Sequence, residues 1–233
     1  MKRTIRKTAV LGSGVMGSRI ACHLAGAGIQ VLLLDMVPKE AVDSTDKNLR
    51  NKLVNDALQS AVKSNPSPLY TKDALKKIST GNFTDNMKDI AGCDWIIEVV
   101  VERLDIKKII FDQVEQFRKP GTLVSSNTSG IPIHLMAEGR SDDFKKHFCG
   151  THFFNPPRYL RLLEIIPTPH TDAAVVDFFM QFGSLQLGKT TVLCKDTPAF
   201  IANRIGVFGI MAIFQLSDKL GLTIDEIDRL QAP

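Results

Sequence analysis

Two ionisable side chains sit where the sequence is otherwise apolar. His152 lies between Thr151 and Phe153 in the run from Phe148 to Phe154, and Glu164 lies inside Leu160-Arg161-Leu162-Leu163-Glu164-Ile165-Ile166. The two runs are joined by Asn155-Pro156-Pro157-Arg158. If they pair as neighbouring strands across that turn, imidazole and carboxylate can meet; an apolar surround makes an unpaired carboxylate expensive and favours such a pairing. The carboxylate would hold one ring nitrogen protonated and leave the other as a base. A lone histidine in such a run is more often structural, satisfied by a backbone carbonyl, so at this level both readings stand.

A second cluster concerns anions. Gly12-x-Gly14-x-x-Gly17 follows an apolar run (Thr8 to Leu11), opens a stretch of helical spacing (Val15 to Ala27), and is followed by a second branched apolar run, Ile29 to Leu34, ending at Asp35. Three glycines at that spacing arise by chance, but strand, glycine turn, helix and strand within some thirty residues make a βαβ unit. Gly12 then permits the tight turn, Gly14 lets the backbone approach a pyrophosphate, and Gly17 allows close helix–strand packing. The anion sits on the free N–H groups at the helix start, beside Val15 and Met16. Asp35 would accept hydrogen bonds from ribose hydroxyls and repel a 2′-phosphate. With Met36 and Val37 following and no arginine there, NAD is preferred over NADP. A third polar stretch, Ser125-Ser126-Asn127-Thr128-Ser129-Gly130, ends an expected strand, where ligands of such sheets bind.

The elements that must position these groups follow from periodicity. Pro38 to Lys63 is helix-permissive, with Leu49, Leu53, Ala57, Leu58 and Ala61 on one apolar face, and Asn65-Pro66-Ser67-Pro68 is a loop. Trp95 to Val101, broken only by Glu98, suits a strand buried on both faces. Asp105 to Phe117 is helical, Pro120-Gly121 turns, and Thr122 to Ser126 is the next strand. Alternating strands and helices imply an α/β, doubly wound, Rossmann-type sheet. Helical spacing from Thr171 to Leu187 and a strand near Thr191 to Leu193 follow. Ala199 to Leu216 is a helix apolar nearly all round, which must bury against partners. The expected division is residues 1–197 as the dinucleotide-binding domain and 198–233 as the start of an all-helical second domain, truncated or completed by another chain.

Composition excludes several classes. The 233 residues are 44% hydrophobic and 23% charged, enough for a real core, and the formal charge of +4 is spread without a nucleic-acid-binding signature. The four cysteines are far apart, which disfavours a zinc site or disulfide framework and points to a reducing compartment, the cytoplasm. No apolar run reaches the ~18 residues that span a bilayer.

Gly150-Thr151-His152-Phe153-Phe154-Asn155-Pro156, with Glu164 and later Lys195-Asp196-Thr197-Pro198-x-Phe200-Ile201-x-Asn203-Arg204, resembles the L-3-hydroxyacyl-CoA dehydrogenase family. The likeness runs from the glycine turn to the end of the chain. In detail it is most similar to the dehydrogenase portion of long bacterial fatty-acid oxidation proteins that also carry an enoyl-CoA hydratase-like region. The resemblance implies that His152 is the general base, that Glu164 orients it, and that Ser129 and Asn203 hydrogen-bond the reacting oxygen or thioester. It implies cofactor contacts for Glu102 and Lys107, and for Asn155. It further implies an acyl-CoA thioester substrate, fatty-acid β-oxidation as the setting, and a homodimer or the remainder of a longer polypeptide as partner. The segment from Pro38 to Leu75 departs from the family, so no acyl-CoA contact is carried over there. The alternatives are an NAD-binding module without turnover and a β-hydroxyacid dehydrogenase that uses a lysine base. The set Ser129, His152, Glu164 and Asn203 argues against the first, and the surroundings of His152 against the second.

Overall fold

The computed structural model describes residues 3–231. Eight strands form one sheet: β1 (Lys7–Leu11), β2 (Gln30–Asp35), β3 (Ile78–Asn82), β4 (Trp95–Glu98), β5 (Leu123–Ser126), β6 (Phe148–Phe153), β7 (Leu162–Pro167) and β8 (Thr190–Leu193). Their order is β3-β2-β1-β4-β5-β6-β7-β8, and every neighbouring pair is parallel except β6 and β7. The helices are α1 (Val15–Gly26), α2 (Lys47–Arg50), α3 (Lys52–Lys63), α4 (Phe83–Asn86), α5 (Leu104–Phe117), α6 (Ile133–Ala137), α7 (Asp142–Lys146), α8 (Ala173–Leu185), α9 (Ala202–Leu220) and α10 (Ile224–Gln231).

The period of two along each strand divides the core into two layers. Val10, Leu33, Trp95 and Ile97 pack with the buried faces of α1, α3 and α8. Ala9, Leu34, Ile96 and Val124 pack with α5, α6 and α7 on the other side. Both faces are covered, as a parallel sheet requires, so the doubly wound Rossmann-type fold is the one read from the alternating pattern. Strand order reverses between β1 and β4. The crevice beyond the carboxyl ends of these two strands is where such sheets bind ligands.

Four details differ from the linear reading. The strand expected over Trp95 to Val101 stops at Glu98, and 99–101 lead into the turn before α5. The apolar face expected to include Leu49 and Leu53 is instead Val54, Leu58 and Ala61, while Leu49 and Leu53 are exposed. Asn51 separates α2 from α3, which puts Leu49 on a different helix from that face; Leu53, within α3, lies off it. The last long helix begins at Ala202, not Ala199, because Ala199 and Phe200 adopt left-handed φ values of 61° and 48°. Within this chain that helix leaves Ile205, Val207, Phe208, Ile210, Met211 and Phe214 exposed. No helix among the described residues is long and apolar enough to cross a membrane.

Candidate active site

The glycine turn is built by close approach. Gly12 has φ of +105°, and a Cβ there would lie 2.5 Å from the Val99 carbonyl oxygen. A Cβ on Gly17 would lie 1.8 Å from the Gly12 carbonyl oxygen, so α1 can pack on the turn only through glycine. Gly14 is different: a Cβ there would meet nothing within 4 Å. The space beside it is open, at the N-cap of a helix that no side chain caps and whose first turn carries no acid. That is the cradle a diphosphate needs. At the end of β2, Asp35 Oδ2 accepts hydrogen bonds from Ser13 N (2.6 Å) and Ser13 Oγ (2.5 Å), which fixes the carboxylate beside the turn. These residues fit NAD.

Gly14, Val15, Met16, Glu102, Lys107, Ser129, His152 and Asn155 line one cleft of about 470 Å³, with Val99–Val101, Asn127, Phe153 and Phe154. Gly12, Gly17 and Asp35 shape the turn behind it, and Glu164 and Asn203 stand beside it. Asn155 is engaged at the rim, where its Oδ1 accepts a hydrogen bond from Arg19 Nη1 (2.6 Å).

The β6–β7 hairpin sets His152 directly opposite Glu164 in antiparallel register. His152 Nδ1 and Glu164 Oε2 are 2.7 Å apart, with the histidine 5% exposed and the glutamate fully buried. A carboxylate in that place accepts, so Nδ1 carries the proton and Nε2 is left as the basic nitrogen. The second carboxylate oxygen, Oε1, accepts from the backbone N–H groups of Ile201 (3.1 Å) and Ala202 (2.9 Å). The start of α9 is thereby tied to the same carboxylate as the imidazole. Phe154 and Phe200 flank the ring at 4.4 and 5.7 Å between centroids. At the second residue of α9, Asn203 Nδ2 lies 3.5 Å from the Ser129 carbonyl oxygen. The hairpin and the helix start therefore bring Ser129, His152, Glu164 and Asn203 together.

Glu102 organises the turn after β5. Its Oε1 accepts from Thr128 Oγ1 (2.5 Å), Ser129 N (2.9 Å) and Gly130 N (3.2 Å). Partial burial opposes its ionisation, but the bonds from Thr128 and Ser129 and the charge of Lys107 hold its pKa below the usual carboxylate range. Lys107 is 1% exposed, its Nζ 2.7 Å from Glu98 Oε1 and 3.2 Å from Glu102 Oε2. In the sequence Glu98 stands out only as a break in an apolar run. A carboxylate in a strand buried on both faces demands a cationic partner, and that demand was the available signal. Burial pushes the Glu98 carboxyl up, against the pull of Lys107 and of the Ser126 and Val100 hydrogen bonds.

The fold and the cleft define a dinucleotide-binding domain of the dehydrogenase type, with a buried histidine–carboxylate pair at the edge of the cofactor crevice. Residues 7–197 match the family model described as 3-hydroxyacyl-CoA dehydrogenase, NAD binding domain, and the chain belongs to that family. It is 50% identical to a probable 3-hydroxyacyl-CoA dehydrogenase of Bacillus subtilis, over 100% of this chain and 30% of that protein. It is 47% identical to a probable 3-hydroxyacyl-CoA dehydrogenase of Deinococcus radiodurans, over 98% of this chain and 64% of that protein. The crystal structure of (S)-3-hydroxybutyryl-CoA dehydrogenase from Ralstonia eutropha superposes with a TM-score of 0.76 at 27% identity, covering 96% of this chain and 75% of that one. The chain thus spans less than two thirds of the length of both curated relatives.

Proposed function

We propose that this chain is the cofactor-binding and base-carrying part of an NAD-dependent dehydrogenase that oxidises the 3-hydroxyl of a 3-hydroxyacyl-CoA thioester to the 3-ketone in fatty-acid β-oxidation. The observation that carries the reading is the His152–Glu164 pair, buried and 2.7 Å apart, opening on the cleft that the glycine turn also lines. NAD, when bound, supplies the hydride acceptor. Gly14 and the start of α1 hold its diphosphate, Asp35 its ribose, and Glu102, Lys107 and Asn155 the part reaching into the cleft. His152 Nε2 takes the proton from the 3-hydroxyl as C3 is oxidised, and returns it to the 3-keto oxygen in reduction. Glu164 keeps Nδ1 protonated and stabilises the imidazolium. Ser129 and Asn203 hold the reacting oxygen or thioester, so that C3 is oriented before reaction. Residues 1–197 form this domain and 198–233 begin a helical second domain that covers the substrate. A homodimer or the rest of a longer polypeptide is its partner, and the cytoplasm its setting.

One observation supports a second reading, cofactor binding without turnover by this chain alone: the exposed apolar side chains of α9, which carries Asn203. The test is reduction of acetoacetyl-CoA by NADH, run on this chain and on the chain joined to the C-terminal portion of its Deinococcus radiodurans relative. Turnover confined to the joined chain supports the second reading for the shorter one. In the active form, His152→Gln should lower turnover by roughly 10³-fold or more and leave NADH affinity within about twofold. Undiminished turnover in that variant defeats the assignment.

A further inference from the structure

Glu98 and Glu164 are the two acidic residues buried from solvent among the described residues. Glu164 has its partner in the catalytic pair; Glu98 lies outside the lining of the cleft. It ends β4 on the face that α5 covers, and both its oxygens are engaged. Oε1 accepts from Lys107 Nζ (2.7 Å) and Val100 N (2.7 Å), and Oε2 accepts from Ser126 Oγ (2.5 Å). Lys107, itself 1% exposed, has its ammonium between Glu98 and Glu102. Glu102 in turn receives Ser129 N and Gly130 N. A continuous chain of charge-assisted bonds therefore runs from the sheet interior, through Lys107 and Glu102, to the Ser129 turn on the cleft.

We propose that Glu98 is a positioning residue for cofactor binding, fixing the Lys107 ammonium at the cleft wall and, through Glu102, the turn that carries Ser129. The inference rests on the reading above in which Lys107 and Glu102 face the cofactor. A desolvated ammonium adopts one position only when a well-placed carboxylate compensates the loss of water. Glu102 cannot serve alone, because its side chain is 43% exposed and its other oxygen is committed to the Ser129 turn. Glu98 supplies the rigid end: it sits on a central strand, and three donors from three segments fix its orientation.

The test is NADH titration of this chain by fluorescence, with a double-mutant cycle. Lys107→Met should raise the NADH Kd by at least about tenfold, and Glu98→Gln by about tenfold, as expected for loss of one charge-assisted bond. Ser126→Ala, which removes the bond to Oε2 and the one that Ser126 Oγ accepts from Thr128 N (3.2 Å), should raise it by roughly threefold. The Glu98→Gln/Lys107→Met double variant should bind as Lys107→Met alone, because Glu98 then has nothing left to position. A purely structural ion pair predicts a lower thermal midpoint with unchanged NADH Kd, or losses that add; either outcome overturns the proposal. If Lys107→Met binds NADH like the unaltered chain, the cofactor reading of Lys107 fails, and this inference with it. If Glu98→Gln does not fold, Glu98→Asp, which keeps the charge but withdraws it from Lys107, decides in the unaltered and Lys107→Met backgrounds: the effect must vanish in the second, and persistence there overturns the proposal.

Discussion

Replacing Glu164 with Gln isolates what the carboxylate does for His152. The amide has nearly the same shape, and its carbonyl oxygen can still accept from Ile201 N and Ala202 N, the bonds now made by Oε1 at 3.1 and 2.9 Å. Its NH₂ group then faces His152 Nδ1, where Oε2 now sits at 2.7 Å. An amide N–H can only donate there, so Nδ1 must accept and the ring proton moves to Nε2. The nitrogen facing the cleft is then no longer a base. Support for the imidazolium is also lost: two unit charges about 4 Å apart at an effective dielectric near 20 interact by roughly 4 kcal/mol. At about 1.4 kcal/mol per decade that is roughly a 10³-fold loss, and the wrong tautomer carries it toward 10⁴. The assay is acetoacetyl-CoA reduction followed by NADH absorbance in the active form, beside NADH titration of the same variant. Glu164→Gln should lose this much kcat/KM with NADH Kd changed by less than about twofold, because Glu164 lies behind His152 and away from the glycine turn. A rate within about tenfold of the parent, with the fold intact, would refute the claim that the carboxylate sets the tautomer.

The glycines of the turn should separate binding from folding. Gly14→Ala meets open space, so thermal stability should hold while NADH affinity falls by about tenfold or more from obstruction of the diphosphate; unchanged NADH affinity would remove the diphosphate from that position. Gly17→Ala places a methyl 1.8 Å from the Gly12 carbonyl oxygen and should lower the unfolding free energy by about 3 kcal/mol or more, read by urea titration. His23, 2% exposed in α1 between Tyr70 and Phe153, makes no side-chain hydrogen bond; burial and the nearby Lys189 charge push its pKa down to about 3, against a weak pull from the Leu187 carbonyl. Between that value and the ordinary 6.5 the unfolded chain binds the extra proton, so stability falls with acid, by about 2 kcal/mol from pH 7 to pH 5. His23→Leu should flatten this part of the pH–stability curve; an equal slope in both proteins would exclude His23 as its source.

Local chemistry makes the glycine turn and the carboxylate at the end of β2 legible in the sequence. Gly12, Gly14, Gly17 and Asp35 act within one βαβ unit, and their roles depend on backbone conformation and helix ends set by near neighbours in sequence. His152 and Glu164 were legible only conditionally, because their meeting needs the two apolar runs to pair, and a shift of one residue in register would place them on opposite faces. The antiparallel β6–β7 hairpin makes them direct partners. Tertiary structure alone decided the rest. Glu98 and Lys107 meet because α5 packs on the β4 face that carries Glu98, and only packing chooses which charged residue of an amphipathic helix turns inward. The link from Glu164 to Ile201 and Ala202 likewise depends on left-handed φ values at Ala199 and Phe200, which bend the chain back over the hairpin before α9 starts. The sequence by itself thus determined the type of sheet and the glycine turn between β1 and α1, since those follow from local propensity and hydrophobic period. Tertiary structure decided how the buried charges are compensated, because compensation requires partners brought together from separate elements.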